Sequence, residues 1–294
     1  MKSLCQKKKI WWKLIFLKRD DLVLKRILTA LFGLPLVFFL INKGGFILQV
    51  AVFICAMIGL HEIYSAMSKN KLRINVLGYL LSGAYIFILN NFTFKKFIII
   101  SSTFIIITLI FLVFDYKKIN IIDCMIMLFG FFYVSFLLSF IILVRKQTYG
   151  EFFTWLIFIS AWGCDTCAYF FGKIFGRKKL IPGLSPKKTV EGAIGGSLGA
   201  MFLGFVYAFL ISYFYKIKHN NFLLACVIIC FVGSILAQLG DLAASAIKRY
   251  NNLKDYGKIF PGHGGFLDRF DSVLFTGPVV YIFLYFIQKI NLLG

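Results

Sequence analysis

Runs that alternate apolar with polar residues are missing from this 294-residue chain, as are internal repeats, a second CxxC pair and an even complement of cysteines. The lack of alternation excludes a membrane β-barrel, whose strands turn one face to lipid and the other inward. Seven cysteines, an odd number, argue against a disulfide framework. Most sit in apolar runs, where cysteine behaves as a small hydrophobe. Cys164 and Cys167 stand alone as a CxxC, so helix packing is favoured over a zinc or redox site. No cleavage site of small residues follows the basic amino terminus, and the apolar run from Ile27 is long enough to remain as a span. A cleavable signal peptide is therefore not expected. Acid is scarce too, with 12 Asp and Glu against 33 Lys and Arg.

Apolar residues dominate instead. They fill 60% of positions and mean hydropathy is +0.85, against about 45–50% apolar for a soluble domain. Nine apolar runs lie near 27–42, 46–67, 74–90, 97–114, 120–144, 152–172, 191–215, 221–247 and 266–287. Their length suits transmembrane helices of roughly 17–25 residues. The expectation is an all-α polytopic integral membrane protein of about nine transmembrane helices with a cytoplasmic N-terminus, because only helices or closed barrels satisfy their backbone in lipid. It divides into a basic N-terminal segment (1–26), N-terminal spans (27–150) and a C-terminal catalytic region (151–294). In that orientation 25 of the 33 Lys and Arg fall on the cytoplasmic side, the positive-inside bias. The net charge of +21 then reads as attraction to anionic headgroups and substrates, with no nucleic-acid partner. Residues 7–26, KKKIWWKLIFLKRDDLVLKR, suit either a surface-lying amphipathic helix or a solvated retention signal.

Residues 27–150 carry few candidate functional residues. His61 and Glu62 end the second run and read as interfacial anchors, with catalysis as the alternative; Asp123 carries less weight. From Trp162 the pattern changes. Asp165 stands in an apolar run, WGCDTCAYFFG, and an intramembrane carboxylate is functional by default. The most basic loop, GRKKLIPGLSPKKTVEGAIGG, follows. Ser185-Pro186 predicts a helix start, a hydroxyl cap and then proline in the first turn. Lys187, Lys188, Thr189 and Glu191 would then sit in or just after that turn. Exposed amides, the positive dipole end and two ammonium groups would bind phosphate there; the alternative is a solvated basic loop. Gly192 with Gly196, and Gly195 with Gly199, predict close helix packing. Further along, Asp241, Ser245 and Lys248 share one helix stripe, and Asp268 and Asp271 share a face of the last helix. Carboxylates from two adjacent helix ends suit a magnesium ion that also touches substrate phosphates, so Asp241, Asp268 and Asp271 are the expected ligands. With nine spans, the basic loop and the acidic helix ends share one side of the membrane.

The stretch from Ser245 to Asp271, SAIKRYNNLKDYGKIFPGHGGFLDRFD, resembles the characteristic segment of the phosphatidate cytidylyltransferases along its whole length. Asp165-Thr166 with Ala168-Tyr169-Phe170, and Ser185-Pro186-Lys187-Lys188-Thr189 with Glu191-Gly192, are similar to that family as well, as is Leu24 to Leu36. Two departures stand out: Ala244 replaces an acidic residue, and Cys167 replaces the glycine that follows Asp-Thr. The resemblance implies transfer of the CMP moiety of CTP to phosphatidate, giving CDP-diacylglycerol and pyrophosphate. It implies magnesium, with a second cation left open, and a site facing the cytoplasm from the inner membrane. CTP, phosphatidate and membrane lipids are the implied partners, and a homodimer is left open. Asp241, Ser245, Lys248, Arg249, His263, Asp268, Arg269 and Asp271 are the implied catalytic set. Asp165, Ser185, Lys187, Lys188, Thr189, Glu191, Lys254, Asp255, Gly264 and Gly265 are implied to bind substrate.

Three other readings compete. A CTP-dependent transferase acting on another membrane lipid would look nearly the same. An anion transporter also carries intramembrane carboxylates, but here the charged groups gather at one face rather than along a midplane path. A lipid-binding scaffold would have no need of the intact set Asp241, Asp268, Asp271 and Lys248.

Overall fold

A computed structural model describes the chain over residues 31, 33–67, 72–89, 94–216, 220–259 and 264–289. Helices occupy each apolar run within those residues. They are α1 (Gly33–Lys43), α2 (Gly45–Met67), α3 (Leu72–Ile88), α4 (Phe94–Phe114), α5 (Ile121–Arg145), α6 (150–175), α7 (Val190–Tyr215), α8 (Asn220–Tyr250) and α9 (Leu267–Lys289). Six of the described helices, α2, α4, α5, α7, α8 and α9, are long and apolar enough to cross a membrane. The architecture is that of an all-α polytopic membrane protein. The basic segment 1–26 lies outside the described residues.

One departure from all-α structure matters for the site. Between α6 and α7 the chain forms a hairpin of β1 (Lys179–Ile181) and β2 (Ser185–Thr189), antiparallel, with Lys179 opposite Thr189. The expected helix start at Ser185 is therefore wrong. Residues 185–189 are extended, and the helix begins at Val190 with Thr189 as its cap. The Thr189 hydroxyl accepts the Gly192 N–H at 3.1 Å. The physical reason is competition. A Ser-Pro pair can open a helix, but Pro186 equally suits an edge strand, and the cap went to the hydroxyl nearer the apolar run.

Packing is densest where α7 lies along both α6 and α8, and α8 along α9. The glycine spacing in α7 explains the first of these crossings. A Cβ on Gly196 would stand 2.8 Å from the Ala168 Cβ and 3.0 Å from the Cys164 carbonyl, so two backbones meet there with no room for a side chain. Gly199 faces Cys167 in the same crossing, which makes the CxxC a packing feature of α6. Gln238 of α8 ties the three helices together, its amide reaching Ser197 Oγ at 2.9 Å and the Ala193 carbonyl at 3.1 Å on α7, and Cys164 Sγ at 3.4 Å on α6. Gly196→Val is expected to destabilise the protein by about 1–3 kcal/mol through overpacking. The thermal midpoint in detergent would read this, with Ile194→Val, at a side chain 58% exposed on the outer face, leaving it unchanged.

Two helices carry a π-helical turn, Phe131–Phe136 in α5 and Ile159–Gly163 in α6. Such turns often mark functional sites because they re-aim the residues after them. The second one immediately precedes Cys164 and Asp165.

Candidate active site

The hairpin carries Lys187 and Lys188 over the end of α8, where Lys188 Nζ forms an ion pair with Asp241. Glu191, in the first turn of α7, accepts the backbone N–H groups of Arg177 and Lys178 at 3.0 and 3.2 Å. Its carboxylate staples the hairpin root to the helix start.

The second wall is formed by residues 251–259, residues 264–266 and the start of α9. Asp268 organises it. One carboxylate oxygen accepts the Tyr256 and Gly265 N–H groups, each at 2.9 Å, while the other holds Lys248 Nζ at 2.7 Å. Both partners of that ion pair are withdrawn from solvent, with side chains 11% and 4% exposed. The Lys248 ammonium also lies 5.4 Å from the centre of the Tyr256 ring, and Tyr256 donates its hydroxyl to the Ala244 carbonyl at 3.1 Å. Burial pushes the Tyr256 phenol above its ordinary pKa, and nearby carboxylates push the same way, so it remains a donor. Ala244 itself is fully buried; its carbonyl, and not its side chain, serves the loop. The opposite end of the loop is held by Glu62 at the end of α2, whose two oxygens accept the Phe266 and Leu267 N–H groups, both at 2.8 Å.

Between these walls lies a cleft of about 530 Å³. Asp165, Asp241, Asp268 and Asp271 line it from three helices, and Lys187, Lys188 and Thr189 line it from the hairpin. Lys248, Asp255 and Arg269 complete the predicted residues that it gathers. Ser185, Glu191, Ser245, Arg249, Lys254, Gly264 and Gly265 are not on its walls. Arg249 instead turns back to the Leu253 carbonyl at 3.3 Å, and Gly265 serves the capping of α9. His263 lies outside the described residues. Of the early acids and bases, His61 contacts the Tyr79 hydroxyl at 3.3 Å and Asp123 forms a capping box with Asn120 at the start of α5.

The acids divide by what already holds them. Asp268 is committed to two backbone amides and a lysine. Asp271 is buried and, among the described residues, accepts from its neighbour Ser272, whose N–H lies 2.8 Å from one oxygen, while the Ser272 hydroxyl lies between that oxygen at 3.5 Å and Asp165 at 3.3 Å. Asp165, Asp241 and Asp271 repel one another across the cleft. Among the described residues, no three acidic, histidine or cysteine side chains converge closely enough to cage an ion unaided. That arrangement still fits magnesium, which is ordinarily held by one or two carboxylates with water and substrate phosphates filling the remaining positions. These oxygen donors share the cleft with five cationic side chains, Lys173, Lys187, Lys188, Lys248 and Arg269, a combination that suits a polyphosphate with its cation.

Sequence reasoning missed Ser272, Gln238, Lys173 and Tyr133. The Tyr133 hydroxyl, on the α5 π-turn, lies within electrostatic reach of Asp271, Asp241 and Asp268 and has no hydrogen-bond partner among the described residues. Lys173 could have been found from the charge pattern of α6. Tyr133 could not, because nothing local separates it from its aromatic neighbours.

The profile of the cytidylyltransferase family matches residues 24–287. Phosphatidate cytidylyltransferase of Staphylococcus saprophyticus is 32% identical over 272 residues, which covers 88% of this chain and 98% of that protein. Its namesake in Staphylococcus haemolyticus is 34% identical over 268 residues, and that in Staphylococcus aureus 32% over 265, with the same coverage of both chains.

Proposed function

The chain belongs to the cytidylyltransferase family, and we propose on that footing that it transfers the CMP moiety of CTP to phosphatidate, releasing pyrophosphate and leaving CDP-diacylglycerol in the bilayer. The observation that carries this reading is the meeting of the lysine-bearing hairpin with the acidic helix ends in one cleft, sealed by the Lys188–Asp241 and Lys248–Asp268 ion pairs.

The chemistry asks little of a general base. A phosphate oxygen of the lipid, already ionised near pH 7, attacks the α-phosphorus of CTP. The bond from that phosphorus to the β-phosphate bridging oxygen breaks, and pyrophosphate departs with the electron pair. Two anions must approach each other, so cations and positioning dominate the barrier. Lys187 and Lys188 reach the cleft from the hairpin, and Arg269 and Lys248 from the opposite wall, where they neutralise phosphate oxygens. The existing Lys188–Asp241 pair is exposed enough to exchange partners as a nucleotide enters, with side chains 27% and 24% exposed. Asp241 and Asp271, with Asp165 beside them, would hold magnesium. When bound, that ion supplies charge neutralisation at the nucleotide phosphates and the departing pyrophosphate. Asp268 contributes by orienting Lys248 and holding the Tyr256 and Gly265 amides.

The fold is read as nine spans with a cytoplasmic N-terminus, so that hairpin and loop meet CTP at the cytoplasmic face of the inner membrane while the lipid tails stay in the bilayer. The bias of 25 among 33 Lys and Arg supports that orientation. Purified protein given magnesium, labelled CTP and phosphatidate in mixed micelles is expected to form a nucleotide-labelled lipid. No labelled lipid from phosphatidate, with product from a different lipid in a substrate panel, would overturn the assignment.

A further inference from the structure

We propose that Glu62, contributed by the first half of the chain, is a positioning residue of the transfer site: it fixes where α9 begins and so aims Asp268 and Asp271. The side chain is 2% exposed and lies 204 residues from Phe266 in sequence. A carboxylate so deeply withdrawn is costly unless its charge is met. Here it is met by two charge-assisted bonds from the first free amides of a helix, where negative charge is also favoured by the dipole. The surroundings are cut to admit it. A Cβ on either Gly257 or Gly265 would collide with the Glu62 carboxylate, so the loop closes around this acid only because both positions lack a side chain.

The consequence is a division of labour at the start of α9. The orphan amides of a helix start usually occupy a carboxylate from within the first turn. Asp268 sits in that turn, yet Glu62 takes the Phe266 and Leu267 amides, and Asp268 caps only Gly265. One Asp268 oxygen is thereby left for Lys248. Leu267 is fully buried, so the amide that Glu62 grips also sets the rotation of the helix. Asp271 follows Asp268 by three residues on the same face, and its direction into the cleft depends on that rotation. Gln in place of Glu62 would keep one acceptor and set an amide donor against the other backbone N–H.

The kinetic part of the test rests on the cytidylyltransferase reading; the exchange part does not. Full-length Glu62→Gln and Glu62→Ala, in detergent, are compared with the parent and with Asp123→Ala, which removes a capping carboxylate at α5. Turnover is expected to fall about tenfold in Glu62→Gln and about a hundredfold in Glu62→Ala, with KM for CTP within about threefold of the parent. Amide hydrogen exchange at 264–268 should accelerate in both, and turnover is counted per folded molecule so that any fall in thermal midpoint is set apart. Asp123→Ala should lose thermal stability with parental turnover per folded molecule. Parental turnover in both Glu62 variants, or turnover losses that only follow the folded fraction, would overturn the proposal. So would unchanged exchange at 264–268, even if the protein transferred no nucleotide at all.

Discussion

Asp271→Asn is expected to lower turnover by about a hundredfold to a thousandfold, because it takes away a carboxylate proposed to hold the cation that neutralises the phosphates. The substitution suits this test because it preserves shape. Asn keeps an oxygen to accept the Ser272 N–H, which Asp271 holds at 2.8 Å, so the start of α9 retains its local bonding. What disappears is one negative charge in a buried position, 6% exposed, that already repels Asp241 and Asp165. Stability should therefore hold or rise slightly while activity collapses. Initial rates with labelled CTP and phosphatidate, taken beside a thermal midpoint, separate the two effects. Activity within a few-fold of the parent in a folded variant would remove Asp271 from the catalytic set.

Lys248→Met is expected to do double damage. It leaves Asp268 as an unpaired buried carboxylate, and breaking such a pair from one side typically costs about 3–5 kcal/mol. It also removes a cation from the cleft and the ammonium that faces the Tyr256 ring. The double variant Lys248→Met with Asp268→Asn should recover much of the stability, because no uncompensated charge remains, yet stay inactive. Unfolding of the four members of this cycle in detergent gives the coupling. If the two changes add to within about 0.5 kcal/mol, the pair is not the unit described above.

These predictions fall on residues that were visible in the sequence at different depths. Asp241, Lys248, Asp268 and Asp271 were visible as ionisable groups at the ends of apolar helices, and all four line the cleft. Their separate roles were not visible. Asp268 was expected only as a metal ligand, and its bonds to the Tyr256 and Gly265 amides depend on the path of a loop without periodicity. Ser185 and Pro186 misled for a related reason: the local signal for a helix cap also suits a strand, and pairing with Lys179–Ile181 decided between them. Glu62 reads from sequence as an interfacial anchor, with catalysis as the alternative, because a helix-end position says nothing of a partner 204 residues away. The glycines of α7 were read correctly as packing sites, since their spacing is a property of one helix.

The amino-acid order alone determined that this chain is a helical membrane protein, where its helices run, and that most of its acids lie in the second half. Those features follow from side-chain polarity and from periods within a single element, which act over a few turns. The tertiary structure alone decided that an acid from the second helix caps the last one, that the basic hairpin lies over the end of α8, and that Asp268 steadies a lysine. Each of these is a bond between segments distant along the chain, made by groups that carry no local mark of their partner.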